Sequence, residues 1–168
     1  MTAAVILTEP SKSNPLSYGD KSAVVRIIIE LTPYFKEIIV ITEQPRAYLP
    51  YVKDSARILT PFYKGLKPLS FIYAALSLAI SEEIWILHES FPFPGIHTFK
   101  EIKRLKDSKG SQCAVYDTNH KDLLYSILDK RVVSVLYEVM TTGNQIADFY
   151  NHINWTALSL QKKKSLQT

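Results

Sequence analysis

The feature that most constrains the fold is an alternation between short apolar runs and longer helical segments. The runs Ala3–Leu7, Glu37–Thr42 and Glu83–His88 have the length and continuous apolar character of strands buried on both faces. The segments between them are long enough for crossover helices, which join parallel strands. The sequence therefore predicts a three-layer α/β/α fold, a mainly parallel sheet with helices on both faces.

Shorter patterns place the remaining elements of this Rossmann-like arrangement. Two further strands are predicted at Ala56–Leu59 and Ser111–Tyr116. Helices are predicted at Lys21–Phe35, within Gln44–Asp54, and at Pro68–Ser81, Ile96–Lys106, Lys121–Leu128, Val132–Met140 and Trp155–Gln161. A strand remains the alternative for Lys21–Phe35, because of its β-branched residues, and for Val132–Met140. We expect one domain over residues 1–161 and a basic polar tail over 162–168.

Composition indicates a globular protein of a reducing compartment. Apolar residues make up 46% of the chain and charged residues 21%, which supports a packed core. The single cysteine, Cys113, forms no disulfide within one chain and is expected to be a buried strand residue. Met1–Leu7 lacks the basic start of a signal peptide, and Pro68–Ser81 is shorter than the roughly 20 residues of a membrane span. We expect a cytoplasmic protein without a membrane partner.

The charge of the chain suits an anionic ligand of modest size. The formal net charge is +4 and the pI about 9.0, with part of the excess in Lys162-Lys163-Lys164. No aromatic residues interleave the basic clusters, so a nucleic-acid partner is not expected. The basic residues of the helix predicted at Ile96–Lys106 are expected to form a solvated face: Lys100, Lys103, Arg104 and Lys106.

Parallel sheets bind ligands beyond the carboxyl ends of their strands. The first of these loops ends in Gly19-Asp20-Lys21 and leads into the first long helix. Lys21 is placed to reach a phosphate there, assisted by the partial positive charge of a helix N-terminus. Helix capping by Asp20, beside a solvated lysine, is the alternative interpretation.

Short motifs follow one another in a recognisable order along the chain. The first strand runs into Leu7-Thr8-Glu9-Pro10, before Gly19-Asp20-Lys21. Further along the chain stand Lys67-Pro68-Leu69-Ser70-Phe71-Ile72, Glu89-Ser90-Phe91-Pro92-Phe93 and His152-Ile153-Asn154-Trp155-Thr156. In order and spacing, the chain resembles the molybdenum cofactor guanylyltransferases and their relatives among the sugar-phosphate nucleotidyltransferases.

This resemblance implies a reaction and a set of site residues. The reaction is transfer of GMP from GTP to the phosphate of molybdopterin, with Mg²⁺ neutralising the phosphates. The residues implied for nucleotide binding are Leu7, Thr8, Asp20, Lys21, Pro68 and Leu69. Lys21 and Lys12 are the implied catalytic cations, and Glu89 and Asn154 would face the metal or the second substrate. The implied partners are GTP or another nucleotide, and molybdopterin or a cofactor-assembly protein.

The chain departs from the family pattern at positions that matter for catalysis. Glu9-Pro10 replaces paired glycines whose amides approach phosphates, Ser90 aligns with the metal-binding aspartate, and Phe71 replaces another glycine. Three interpretations stay open: a divergent guanylyltransferase, a catalytically degenerate module that binds a nucleotide or a protein, and an interaction protein without a nucleotide site.

Overall fold

The architecture of the chain is an α/β sheet covered by helices on both faces. The computed structural model describes residues 1–9, 21–63, 65–116, 123–143 and 145–158. The strands of the described part are β1 (Thr2–Leu7), β2 (Ile38–Ile41), β3 (Arg57–Leu59), β4 (Glu83–His88), β5 (Cys113–Val115), β6 (Ile127–Asp129) and β7 (Trp155–Ala157). They form one sheet in the order β3-β2-β1-β4-β6-β5-β7.

The sheet is mainly parallel, as predicted. β1 pairs in parallel with both β2 and β4, and β2 pairs in parallel with β3. β6 runs antiparallel to β4 and β5, whereas β5 and β7 are parallel. Every described strand except β6 therefore points in one direction, and their carboxyl ends share one edge of the sheet.

Six α-helices in the described part of the chain form the outer layers. They are α1 (Lys21–Leu31), α2 (Pro45–Val52), α3 (Leu69–Leu78), α4 (Ile96–Lys109), α5 (Val133–Thr141) and α6 (Ile146–Asn151). Alternate residues of β1 face opposite layers: Val5 packs on the side of α3, α5 and α6, and Ile6 on the side of α1, α2 and α4. Burial on both faces explains why this strand reads as a continuous apolar run.

The sequence left a strand as the alternative for Lys21–Phe35 and for Val132–Met140. Both segments are mainly helical, since they contain α1 and α5. In α1 the buried residues are Ala23, Val24, Ile27, Ile28 and Leu31, which is the spacing of one helical face. This face packs on the sheet, so tertiary burial outweighs the strand propensity of the β-branched residues.

Among the described residues, no helix is both long and apolar enough to cross a membrane.

The prediction of a helix at Lys121–Leu128 is wrong for residues 123–128, the part that the structure describes. Lys121 and Asp122 lie outside the described residues. Leu123 and Tyr125 have φ angles of +62° and +64°, which interrupt a right-handed helix. Ile127 and Leu128 then enter β6, fully buried between β4 and β5. Pairing on both sides of the strand overrides the helical appearance of the local sequence.

The prediction of a helix at Trp155–Gln161 is also wrong where the structure describes it. Trp155–Ala157 is β7 and pairs with β5 at the edge of the sheet, and residues from 159 onwards lie outside the described part. Helix α6 was not predicted from the sequence. Gln145 and Asp148 form a capping box at its N-terminus, a pattern that marks helix starts.

The prediction that Lys106 belongs to a solvated face of the helix is wrong, because this residue is buried. Its ammonium lies 3.0 Å from Glu83 Oε2 and 3.8 Å from Asp129 Oδ2. Glu83 also pairs with Lys103 at 2.7 Å and accepts a hydrogen bond from the Thr2 hydroxyl at 2.6 Å. Burial alone would raise the pKa of Glu83, but these hydrogen bonds and charges outweigh it, so the pKa is lowered. The ion cluster fastens α4 to the sheet.

Cys113 is the buried strand residue that the sequence predicts. It lies in β5 with no exposed surface. Burial raises the pKa of its thiol to about 12, although Lys106 acts in the opposite direction. A thiol of this kind remains protonated at neutral pH and is a poor nucleophile.

Candidate functional site

The candidate site lies at the carboxyl edge of the sheet, where the loops after β1 and β4 meet. Leu7 is opposite His88 in the strand register, and the amide of Glu89 donates to the Leu7 carbonyl at 3.0 Å. This pairing brings Glu9 beside Glu89 and Ser90. The two motifs recognised in the sequence are therefore neighbours in space.

Thr8 contributes to the frame of this edge through its side chain. It is 2% exposed, and its hydroxyl donates to the carbonyl of Ile41 at 2.8 Å. The bond joins the end of β1 to the end of β2. Thr42 follows the last residue of β2. Its hydroxyl accepts a hydrogen bond from the amide of Gln44 at 3.0 Å, just before α2.

Glu89 connects three elements beneath the surface of the edge. The residue is 4% exposed. Its Oε1 accepts from the amide of Glu9 at 3.0 Å, and its Oε2 accepts from the hydroxyl of Tyr48 in α2 at 2.7 Å. Donors on both oxygens are what a buried carboxylate requires. This arrangement fits a structural brace between the loops and α2.

Glu9 presents a second carboxylate, nearer the surface. The Ser90 hydroxyl donates to Glu9 Oε1 at 2.8 Å, and His88 Nε2 lies 3.9 Å from Glu9 Oε2. His88 Nδ1 accepts from the amide of Ser90 at 3.0 Å, so a neutral imidazole carries its proton on Nε2, toward Glu9. The side chain of Glu9 is thereby held across the edge.

The described residues do not fit the magnesium site that the resemblance implies. Magnesium prefers carboxylate and phosphate oxygens in octahedral geometry. Ser90 offers a neutral hydroxyl already bonded to Glu9, and both oxygens of Glu89 accept hydrogen bonds from the protein. No group of three or more Asp, Glu, His or Cys residues in the described ranges is arranged to hold a metal ion.

Lys21 is the described cation at this edge that the sequence analysis singled out. It is the first residue of α1, it is half-buried, and its ammonium lies 5.7 Å from the ring centre of Tyr51. The N-terminus of α1 is at the carboxyl edge because this helix connects the parallel strands β1 and β2. The other two residues predicted on this loop, Lys12 and Asp20, lie outside the described residues.

Pro68 and Leu69 lie at the start of α3, on the same edge of the sheet. Pro68 is exposed and precedes the helix, and Leu69 is half-buried against the core. An ion pair of 3.2 Å between Lys67 and Glu43 joins this loop to the one after β2. Phe71 is 2% exposed, so its ring fills the core beneath the helix start.

Asn154 is not brought together with Glu89. It precedes β7, and its carbonyl accepts from the amide of Gln112 at 2.8 Å, at the amino edge beside Glu83 and Asp129. Glu89 lies six positions beyond Glu83, which is roughly 20 Å along extended chain. The motif that contains Asn154 leads into β7, which ends at Ala157. The chain therefore reaches the carboxyl edge of the sheet only after Ala157.

A groove of about 470 Å³ opens between α1 and the loop after β4. Its lining consists of Ala23, Arg26, Ile27, Glu30, Glu89, Ser90, Phe91, Pro92 and Phe93. The Tyr125 hydroxyl donates to the Pro92 carbonyl and steadies the loop. The sequence analysis missed Tyr48, Arg26 and Glu30, because helix-borne polar residues carry no motif signal of their own.

Comparison of the whole structure with solved structures gives the class of fold. A nucleotidyl transferase from Methanothermobacter has a TM-score of 0.65 at 10% identity, covering 95% of this chain and 87% of that chain. The described architecture is therefore the nucleotidyltransferase fold. No family model and no curated protein sequence matches the chain.

Two structures are more similar still. Molybdopterin-guanine dinucleotide biosynthesis protein A from Archaeoglobus fulgidus has a TM-score of 0.71 at 14% identity, covering 99% of this chain and 87% of that chain. A protein from Aquifex aeolicus has a TM-score of 0.74 at 16% identity, covering 96% of this chain and 88% of that chain. These values confirm the predicted resemblance at the level of the fold.

The ligands of this fold are illustrated by a more distant structure. Glucosyl-3-phosphoglycerate synthase from Mycobacterium tuberculosis, in complex with Mn²⁺ and UDP, has a TM-score of 0.57 at 10% identity. The comparison covers 94% of this chain and 70% of that chain. A nucleotide and a divalent metal are thus found in a protein of similar fold.

Proposed function

We propose that the chain is a nucleotide-binding protein of the nucleotidyltransferase fold in which metal-dependent nucleotidyl transfer has been lost. The observation that carries this proposal is the hydrogen-bonded set formed by Glu9, Ser90, Glu89 and Tyr48. It engages Glu89, the carboxylate that the resemblance assigns to the metal, and it includes Glu9 and Ser90, which stand at the positions of a phosphate-binding glycine and of the metal-binding aspartate.

Nucleotide binding is supported by the position of Lys21. A phosphate at the N-terminus of α1 would meet the partial positive charge of the helix and the ammonium of Lys21. The net charge of +4 favours anionic ligands in general. Guanine nucleotides are the first candidates because of the likeness to molybdopterin-guanine dinucleotide biosynthesis protein A.

Loss of transfer is supported by the charge of Glu9. A carboxylate and a phosphate oxygen 4 Å apart repel each other by about 4 kcal/mol at the effective dielectric of a protein surface. A family member with glycine at this position has no such repulsion. The phosphates are therefore expected on the Lys21 side of the edge, away from Glu9 and Ser90.

A second candidate is retained transfer of GMP from GTP to molybdopterin with Mg²⁺. It is favoured by the likeness to the Archaeoglobus protein, which extends over 99% of the chain. Release of pyrophosphate from GTP in the presence of molybdopterin and Mg²⁺ would support this candidate over the first.

Calorimetric titration with GTP and ATP tests the proposal. We expect micromolar binding, about −8 kcal/mol, for at least one nucleotide. Lys21→Ala should weaken it about tenfold by removing one charge-assisted contact. Lys100→Ala is the matched control, because Lys100 is exposed on α4 over the ring of Tyr34. Absence of binding, or equal loss in both variants, would contradict a nucleotide site at α1.

A further inference from the structure

A cavity of about 450 Å³ opens at the amino edge of the sheet, where β2 and β3 begin and α3 ends. The charged residues in its wall are Lys36, Glu37, Lys53, Asp54 and Arg57. The six residues of β1 separate this edge from the carboxyl edge by roughly 20 Å. The cavity is therefore distinct from the groove and the loops of the candidate site described above.

The buried carboxylate of the cavity is satisfied by the protein itself. Glu37 is 6% exposed. Its Oε1 accepts from the amides of Ile80 and Ser81 at 3.1 and 3.0 Å. Its Oε2 accepts from the amide of Ile80 at 2.8 Å and from Arg57 Nη1 at 2.9 Å. Burial alone would raise the pKa of Glu37, but the amides and the charge of Arg57 outweigh it, so the pKa is lowered. Its charge is directed at these donors and away from the cavity.

The cations of the cavity keep donors for a ligand. Arg57 bonds through Nη1, to Glu37 and to the carbonyl of Leu78 at 3.2 Å, and its other guanidinium nitrogens have no partner among the described residues. Lys36 and Lys53 are exposed, and neither forms an ion pair or hydrogen bond within the described ranges. Once Glu37 is counted against Arg57, two lysines remain against the exposed Asp54. The cavity therefore keeps an excess of positive charge.

Lys53 is held in a backbone conformation that is costly for any residue other than glycine. Its φ is +47° and its ψ is −124°, a region that glycine adopts readily and lysine rarely. Lys53 ends α2 and begins the short turn Lys53–Ser55 in the wall of the cavity. Strained backbone of this kind is concentrated at ligand-binding positions. A lysine where glycine would be more stable points to a role for its ammonium.

We propose that this cavity binds a small phosphate-bearing metabolite, with Lys36, Lys53 and the unbonded nitrogens of Arg57 around the phosphate. A phosphate group carries about two negative charges and three acceptor oxygens, which suits three separate cations. The volume of about 450 Å³ is that of a site for a small molecule. Ile80 lines the same cavity and is 74% exposed, so it offers an apolar contact for the organic part of the ligand. This inference does not depend on nucleotide binding at α1.

Titration of the isotope-labelled full chain, followed by the chemical shifts of its backbone amides, tests the proposal. The probes are inorganic phosphate and glycerol phosphate, added at constant ionic strength, with sodium chloride as the reference salt. The expected result is a saturable change of shifts at residues 36–37, 53–57 and 80. Equal affinity for the two probes would identify free phosphate as sufficient, whereas tighter binding of glycerol phosphate would identify a phosphate ester as the ligand.

Lys53→Gly is the most informative variant, because it removes the ammonium and relieves the backbone strain together. It should bind glycerol phosphate about fivefold more weakly while remaining at least as stable as the wild type, so that weaker binding is not a result of unfolding. Asp54→Asn should strengthen binding about threefold by removing a repelling charge. Lys109→Ala is the matched control, because Lys109 is exposed at the end of α4 and carries the same charge.

Three results would overturn the proposal. The first is a set of shift changes that does not saturate or that sodium chloride reproduces. The second is saturable binding confined to other residues, such as those around Lys21. The third is equal affinity in Lys53→Gly and Lys109→Ala, which would show that only the net charge of the chain attracts the anion.

Discussion

At the scale of single residues, the carboxyl edge depends on how each polar group is satisfied. Glu89 is buried yet ionisable, and it is paired with the amide of Glu9 and the hydroxyl of Tyr48. When one partner of a buried hydrogen bond is removed, the other partner stays buried without a hydrogen bond, and its full desolvation penalty then lowers the stability of the fold. The brace is therefore expected to contribute measurably to the stability of the fold.

Tyr48→Phe is expected to lower the free energy of unfolding by about 1–2 kcal/mol. The ring, which is fully buried, keeps its packing, so the change isolates the hydroxyl. Urea denaturation measures the effect. Tyr51→Phe, three residues along α2 and 55% exposed, should change stability very little, and equal losses in both variants would argue against the brace.

Sequence reasoning at this scale found the loop positions but not their chemistry. The order of motifs identified Thr8, Pro68 and Glu89 as residues of the carboxyl edge. Whether a carboxylate faces a metal or a tyrosine depends on residues distant in the chain: Tyr48 precedes Glu89 by 41 positions. Lys106 illustrates the same limit, since its partners Glu83 and Asp129 belong to two other elements.

At the scale of elements, the ion cluster between α4 and the sheet predicts a dependence on pH. The pKa of Glu83 in the folded chain lies below its ordinary value of 4.5, so the unfolded chain binds more protons in the interval between the two. The stabilisation is complete above pH 4.5 and is lost as the pH falls through the folded pKa. Asp129 acts in the same direction.

Glu83→Gln is expected to flatten the fall in stability below pH 4.5. The measurement is the free energy of unfolding in urea between neutral and acidic pH, compared with the wild type. Glu82→Gln is a suitable control, because this neighbouring carboxylate is exposed. The assignment fails if the variant and the wild type lose stability in parallel.

Two helix ends have backbone angles that favour glycine, so removing a glycine at one and introducing a glycine at the other should change stability in opposite directions. Gly110 ends α4 with φ +60° and ψ +29°, so Gly110→Ala should cost about 1 kcal/mol of stability. Lys53 ends α2 with φ +47° and ψ −124°, a combination that favours glycine. Lys53→Gly should therefore stabilise the chain by about 1 kcal/mol. Thermal unfolding checks both, and changes of the same sign would contradict the backbone argument.

The central parallel strands were predictable, as were β3 at one edge and β5, whereas β6 and β7 were not. The apolar runs of β1, β2 and β4 allow no interpretation other than a strand. The bounds of these strands agree with the prediction within two residues. β6 and β7 have three residues each, and their pairing partners come from elsewhere in the sheet. β3 and β5 are equally short but lie within longer apolar runs, whereas β6 and β7 lie in segments predicted as helices.

At the scale of the whole molecule, the sheet determines which motifs can cooperate. The parallel strands bring Thr8, Lys21, Leu69 and Glu89 to one edge and leave Asn154 at the other. The fold is that of nucleotidyltransferases, whereas the described residues of the edge do not form the expected metal site. The proposed function follows from this contrast between a retained architecture and an altered site.

The affinity for GTP, measured by calorimetry with Mg²⁺ and with EDTA, tests that account most directly. The wild type is expected to bind GTP with dissociation constants that agree within about twofold, or about 0.4 kcal/mol, in the two conditions. The double variant Glu9→Gly with Ser90→Asp should gain a dependence on Mg²⁺, because it removes one repelling carboxylate and supplies a ligand. Binding by the wild type that Mg²⁺ strengthens about tenfold or more, with release of pyrophosphate, would contradict the loss of metal-dependent transfer.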